Sequence, residues 1–220
     1  METLLNLYAQ PYDARYPVVC FDERPAQAAL LLSNRGCRRG LAPQPGRIAK
    51  QHYSYSKHGS SVVLGAVEPL AGRRLLSVYS QRTKKEYTQF MQALAALYPD
   101  AVKIRLVQDN LNTHSPNAFY EQLPAAEAAA LAARFNFYYT PKCASWLNMI
   151  ELEFSALSRQ CLNRRIPTQE QLQTQVLAWT AARNQGGVKI HWQFTSPQAR
   201  QTLNSQYCKV NANNLKYKNT

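Results

Sequence analysis

Four acidic residues stand where this chain could do chemistry. Asp22 closes the apolar run Pro17-Val18-Val19-Cys20-Phe21, and Asp109 follows Ile104-Arg105-Leu106-Val107-Gln108. Glu151 and Glu153 lie near the start of an amphipathic stretch after a third β-prone run, Phe135-Asn136-Phe137-Tyr138-Tyr139. Open α/β sheets place their reacting groups at the C-terminal ends of buried strands. With the strand of Asp22 central and the strand of Asp109 beside it, the two carboxylates lie side by side, and a helix packed on that edge brings a third. Three carboxylates with no lysine next to them in sequence make a hard-oxygen site, suited to Mg²⁺ or Mn²⁺ rather than zinc. Two such ions can activate an attacking oxygen and stabilise the leaving oxygen of a phosphodiester. Glu151 and Glu153 are two positions apart, so on a helix they point about 200° apart and cannot both face the site. Periodicity does not choose between them.

The charge names a partner for that chemistry. Lys and Arg number 26 against 13 Asp and Glu, a formal net charge of +13, which suits a polyanion such as nucleic acid. No acid occurs between Glu23 and Glu68, and none after Glu170. The acid-free stretch, residues 24–60, is punctuated by Gly and Pro, and its cations are interleaved with His52, Tyr53 and Tyr55. Arg38, Arg39, Arg47 and Lys50 are its candidates for phosphate contacts, and the aromatics suit exposed bases. Other function classes recede. No apolar run approaches the ~20 residues of a membrane helix, and the first residues lack the pattern of a signal peptide, which leaves the cytosol as the expected location. Five cysteines at wide spacings, without a C-x-x-C, argue against a disulfide framework or a zinc knuckle; Cys20 and Cys161 sit in apolar patterns and read as buried.

The elements that must position the acids are legible in order. Residues 1–16 read as an irregular lead-in. A strand runs from Pro17 to Asp22, where Pro25 blocks further pairing. Ser61–Val67 and Arg74–Tyr79 flank turn residues and read as an antiparallel hairpin. Thr83 with Glu86 forms a capping box, followed by Tyr87, Phe90, Met91, Leu94, Leu97 and Tyr98 on one helical face. The Asp109 strand comes next, then helices opened by Ser115-Pro116 and Pro124, then the strand 135–139. Ile150, Phe154, Leu157 and Cys161 mark the buried stripe of the next helix, with Asn148 its expected cap. Thr168 with Gln171 opens another helix to about Arg183, Ser196–Leu203 a short one, and 204–220 reads as a disordered tail. Three antiparallel strands followed by strand-helix-strand give an α/β fold, a mixed five-stranded sheet with helices on both faces.

A resemblance covers residues 8–203. Ser145-Trp146-Leu147-Asn148-Met149-Ile150-Glu151, preceded by Tyr139-Thr140-Pro141, resembles the last catalytic block of transposases in the insertion-sequence-630 branch of the mariner superfamily. Val107-Gln108-Asp109-Asn110-Leu111-Asn112-Thr113-His114 is similar to the second acid block of that family, and Val19-Cys20-Phe21-Asp22-Glu23 to its first. The resemblance implies a ribonuclease-H-like fold and a DDE site in which Asp22, Asp109 and Glu151 hold two Mg²⁺ ions, with Mn²⁺ as a substitute. It selects Glu151 over Glu153. Asn110, His114, Lys142 and Asn148 are further candidates for DNA contact or for orienting the ligands. It also implies strand cleavage and strand transfer on DNA, TA-rich targets, a homodimer joining two element ends, and a bacterial, nucleoid-associated enzyme. Relatives begin with helix-turn-helix modules. With 17–203 as the catalytic domain and only the lead-in 1–16 before it, the chain reads as the catalytic half alone, either a truncated copy or the second reading frame of a split gene whose helix-turn-helix modules form a separate N-terminal chain. Another ribonuclease-H-like nuclease or integrase, and an inactive DNA-binding remnant, are the alternatives.

Overall fold

The computed structural model describes residues 1–26, 38–41, 50–52, 61–142, 144–164, 166 and 168–210, of which Ala26, 38–41 and 50–52 are described by backbone alone. Five strands form one mixed sheet in the order β5-β4-β1-β6-β7: β1 (Val18–Ala26), β4 (Ser61–Glu68), β5 (Arg73–Tyr79), β6 (Ile104–Gln108) and β7 (Phe135–Tyr139). β1, β4 and β5 are antiparallel neighbours, whereas β6 runs parallel to both β1 and β7. This is the mixed sheet expected from the element order, with the first strand at its centre. Within the acid-free stretch, β2 (Arg38–Leu41) and β3 (Lys50–His52) form a separate antiparallel pair.

Alternation along the strands divides the core in two. Val19, Phe21, Leu64, Ile104 and Leu106 face a layer made of α2 (Lys84–Ala96), α3 (Asn117–Gln122) and α4 (Ala125–Ala133). Cys20, Val63, Val67, Leu76 and Val107 face the other layer, α5 (Ile150–Gln160), α6 (Gln169–Gln185) and the terminal elements. β4 is buried along its whole length because it is covered on both faces. The Thr83–Glu86 capping box is formed as expected.

Three expectations are corrected. The lead-in contains a helix, α1 (Glu2–Tyr8), which buries Leu4, Leu5, Leu7 and Tyr8 against the α5 layer. The supposed tail contains α8 (Asn204–Val210), following α7 (Ser196–Thr202); Glu2 accepts hydrogen bonds from Arg200 and Tyr207 and so joins the two termini. Residues 211–220 lie outside the described ones. β1 does not stop at Asp22: it stays paired with β4 as far as Ala26. Only its pairing with β6 ends early, at Cys20, so beyond that point β1 has one neighbour in the sheet and Pro25 is tolerated.

Candidate metal and catalytic site

The parallel register places the first two acids. Val18 pairs with Arg105, Val19 with Leu106 and Cys20 with Val107. Two residues past the last pair stand Asp22, still within β1, and Asp109, one residue beyond the end of β6, so the parallel register carries both acids to the same end of the sheet. By alternation Asp22 shares the side of Cys20, which is the α5 side. Register also sets Gly65 of β4 opposite Asp22. A Cβ on Gly65 would stand 2.8 Å from Cε1 of the buried Phe154. The missing side chain therefore lets α5 lie directly over the Asp22–Gly65 pair. Arg24 of β1 donates to the Phe154 carbonyl at 3.3 Å, a second tie between that strand and the helix.

α5 carries both glutamates, and their surroundings separate them. Glu151 is exposed and close enough to Asp22 to act on its ionisation. Glu153 is buried, accepting from Arg74 at 2.7 and 2.9 Å and from Arg183 at 2.9 Å through both oxygens. Burial alone would raise the Glu153 pKa, but the two guanidiniums outweigh it and hold the carboxyl below its usual range. Glu153 is a structural anion tying α5 to β5 and α6, whereas Glu151 lies exposed in the first turn of the same helix.

The electrostatics of Asp22 connect the three acids. Its pKa is raised to about 6, chiefly by burial; the Glu23 N–H, donating at 2.7 Å, opposes this, and the negative charges of Asp109 and Glu151 add to it. The unfolded chain then gives up this proton first, near the ordinary value of 3.8, so stability falls as pH rises from about 4 to 6. Asp22→Asn is expected to stabilise the protein in EDTA at pH 8 by up to about 3 kcal/mol, with the gain vanishing below about pH 4. Urea denaturation across this range checks both the sign and the window.

A charged chain runs outward from Asp109. His114 Nδ1 lies 2.5 Å from Asp109 Oδ1, and its Nε2 lies 3.6 Å from Glu23 Oε2. Glu23 also accepts from Arg82 at 2.6 Å. Burial works against the imidazolium, but hydrogen bonds to Asp109 and Glu23 prevail and raise the His114 pKa to about 9. The ring stacks on Tyr87, whose hydroxyl donates to Gln108, and the Gln108 amide donates to the His114 carbonyl. Tyr87 and Gln108 escaped the sequence reading because both look like ordinary core positions. Glu23 had a usable signal in its adjacency to Asp22.

Asn148 does not cap α5, contrary to the sequence reading. The cap position is Met149, without a side-chain bond. A 3₁₀ turn at Ser145–Leu147 leaves Asn148 extended, and its buried side chain crosses to β1, where Nδ2 donates to the Phe21 carbonyl at 2.8 Å and to Asp22 Oδ2 at 3.3 Å. Trp146 of the same turn is half exposed and stacks against Trp192. Asn110 and Lys142 are exposed. The side chains of Arg38, Arg39 and Lys50, and all of Arg47, lie outside the described residues.

The donor set fits a divalent cation. Asp22, Asp109 and Glu151 offer hard oxygens, their mutual repulsion is what a cation would relieve, and Asn148 Oδ1 is a buried acceptor without a hydrogen-bond partner. Among the described residues no group of three or more His, Cys, Asp or Glu side chains is gathered around one point. No described helix is long and apolar enough to cross a membrane.

Comparison with known proteins gives the same reading of the fold. No curated protein matches the chain. Among solved structures, a chain of the Mos1 strand transfer complex superposes with a TM-score of 0.54 at 14% identity, over 85% of this chain and 54% of that one. This chain thus spans about half the length of that protein, and at this identity the likeness establishes a shared fold, the ribonuclease-H-like arrangement. The family model of the DDE superfamily endonucleases matches residues 17–173, a segment that contains all three strand-end and helix acids. This chain belongs to the DDE superfamily of endonucleases.

Proposed function

We propose that this chain is the catalytic domain of a transposase of the insertion-sequence-630 branch, which cuts DNA at element ends and joins the freed 3′-hydroxyl to target DNA. The observation that supports the reading is that Asp22 and Asp109 follow paired segments of the neighbouring parallel strands β1 and β6 and that Asp109 and Glu151 both lie near enough to act on the ionisation of Asp22. Membership of the family implies the use of divalent metal, and the oxygen donors here favour Mg²⁺, with Mn²⁺ as substitute and two ions as the complement. Bound there, the ions would stabilise the attacking and leaving oxygens of the phosphodiester. Asp22 and Asp109 would hold both from the sheet, and Glu151 would complete the second from α5. His114 fixes the Asp109 carboxylate by its Nδ1 contact.

The partner is DNA, drawn by the net charge of +13, with Lys142, Asn110 and the basic stretch holding Arg38, Arg39, Arg47 and Lys50 as candidate contacts. The matched structure is that of Mos1 in a strand transfer complex. For this chain we extend that to a homodimer bringing two ends to a TA-rich target, working in the bacterial cytoplasm on nucleoid DNA. A gel tests the proposal: a pre-processed end oligonucleotide, a supercoiled target and Mg²⁺ or Mn²⁺. Joined products are expected with wild type and none with Glu151→Gln. Nicking without joining in every condition would instead mark a nuclease of the same fold.

A further inference from the structure

One polar atom beside the acids has no role in the fold. Asn148 is 1% exposed, and its Oδ1 is buried without a hydrogen-bond partner. Leaving a buried carbonyl oxygen unsatisfied typically costs about 1–3 kcal/mol, so native proteins rarely do so without a reason. The amide cannot be turned over to hide the defect. Its Nδ2 faces two acceptors, the Phe21 carbonyl at 2.8 Å and Asp22 Oδ2 at 3.3 Å, and an oxygen in that place would be repelled by both. The orphan oxygen is thus held on an amide group that touches Asp22. The cap of α5 does not need it: Glu151 N–H takes the Asn148 backbone carbonyl at 3.1 Å.

We infer that Asn148 contributes Oδ1 to the divalent-ion site as a neutral oxygen donor toward the hydrated cation, while its Nδ2 orients Asp22. Amide carbonyls are ordinary oxygen donors for hard cations. A neutral donor adds an oxygen without adding to the mutual repulsion of the carboxylates. The inference rests on the three-acid site proposed above and assigns the site one more donor.

The test is Mn²⁺ binding, followed by the electron paramagnetic resonance of free Mn²⁺, on wild type, Asn148→Ala, Asn148→Leu and Asn148→Asp, without DNA and without turnover. Circular dichroism confirms that each variant is folded. Asn148→Ala and Asn148→Leu are expected to weaken Mn²⁺ binding about tenfold, equivalent to about 1.4 kcal/mol. Asn148→Asp keeps an oxygen donor but loses the amide N–H that orients Asp22, and is expected to bind Mn²⁺ more tightly than Asn148→Ala and Asn148→Leu. If Ala and Leu bind as wild type does, the inference is overturned. It is equally overturned if Asp falls with them, because the amide N–H and not the oxygen would then matter. If Ala or Leu fails to fold, Asn148→Ser replaces it under the same criteria. Asp109→Asn is run alongside: binding that it leaves unchanged would overturn the underlying three-acid site, whatever the Asn148 variants do.

Discussion

Asp109→Asn is expected to abolish metal-dependent strand cleavage while leaving DNA binding intact or stronger. Two effects combine. The amide removes a charged oxygen donor, and losing charge stabilisation at a phosphoryl transition state costs several kcal/mol, on the order of a thousandfold in rate. It also removes the anion facing His114 Nδ1 at 2.5 Å. That histidine retains its second partner, Glu23 Oε2 at 3.6 Å, and Asp109 is partly exposed, so the fold should survive. One negative charge fewer on a face that meets phosphates favours DNA association. Single-turnover cleavage of a labelled end duplex, with salt-dependent mobility shifts of the same duplex, separates the two effects. Cleavage within tenfold of wild type would remove Asp109 from the chemistry.

Glu153→Ala has the largest expected effect on stability. Arg74 has no exposed side-chain surface and Glu153 has 1%. Arg74 also donates to the carbonyls of Gly72 at 2.8 Å and Val188 at 2.5 Å, so it cannot swing out to water when Glu153 goes. Breaking such a buried pair from one side costs about 3–5 kcal/mol. Arg183 is less affected, being partly exposed and stacked over Trp179. Asn184 reinforces the same corner by bonding both the N–H and the carbonyl of Arg74 on the outer strand β5. Replacing both members, as in Arg74→Met with Glu153→Met, should recover much of the loss, since apolar pairs of similar volume often match a buried ion pair. Urea denaturation of the two single variants and the double variant measures this. Equal losses from Glu153→Ala and from a surface variant such as Glu127→Ala would refute the anchoring role.

The contrast between these glutamates shows what a sequence can and cannot carry. Asp22 and Asp109 were legible because each follows an apolar run, and alternation together with a central first strand puts them side by side. Their arrival at the same end of the sheet depends on a register that the structure supplies, Cys20 against Val107. Glu151 and Glu153 sit two positions apart with similar neighbours in sequence, and only the third dimension shows that Arg74 and Arg183, 79 and 30 positions away, claim Glu153. Asn148 was misread for a related reason. An Asn just before a helix is an ordinary cap by local chemistry, but the 3₁₀ turn at Ser145–Leu147 shifts the cap to Met149 and points the Asn148 side chain at β1. α1 was hidden because a seven-residue amphipathic segment is too short to be helical alone; it is held by packing, with Tyr8 donating to the Leu147 carbonyl at 2.7 Å. α8 depends likewise on long-range contact, Tyr207 with Glu2.

Whether Asp22, Asp109 and Glu151 together form one divalent-ion site, with Glu153 outside it, is decided by a Mn²⁺ titration. Wild type, Asp22→Asn, Asp109→Asn, Glu151→Gln and Glu153→Gln are compared, with binding read from the free-ion resonance at pH 8. Each of the first three variants is expected to weaken binding at least about tenfold, or about 1.4 kcal/mol, and Glu153→Gln is expected to bind as wild type while folded. Wild-type Mn²⁺ binding in Glu151→Gln, or its loss in folded Glu153→Gln, would rule out the three-acid site.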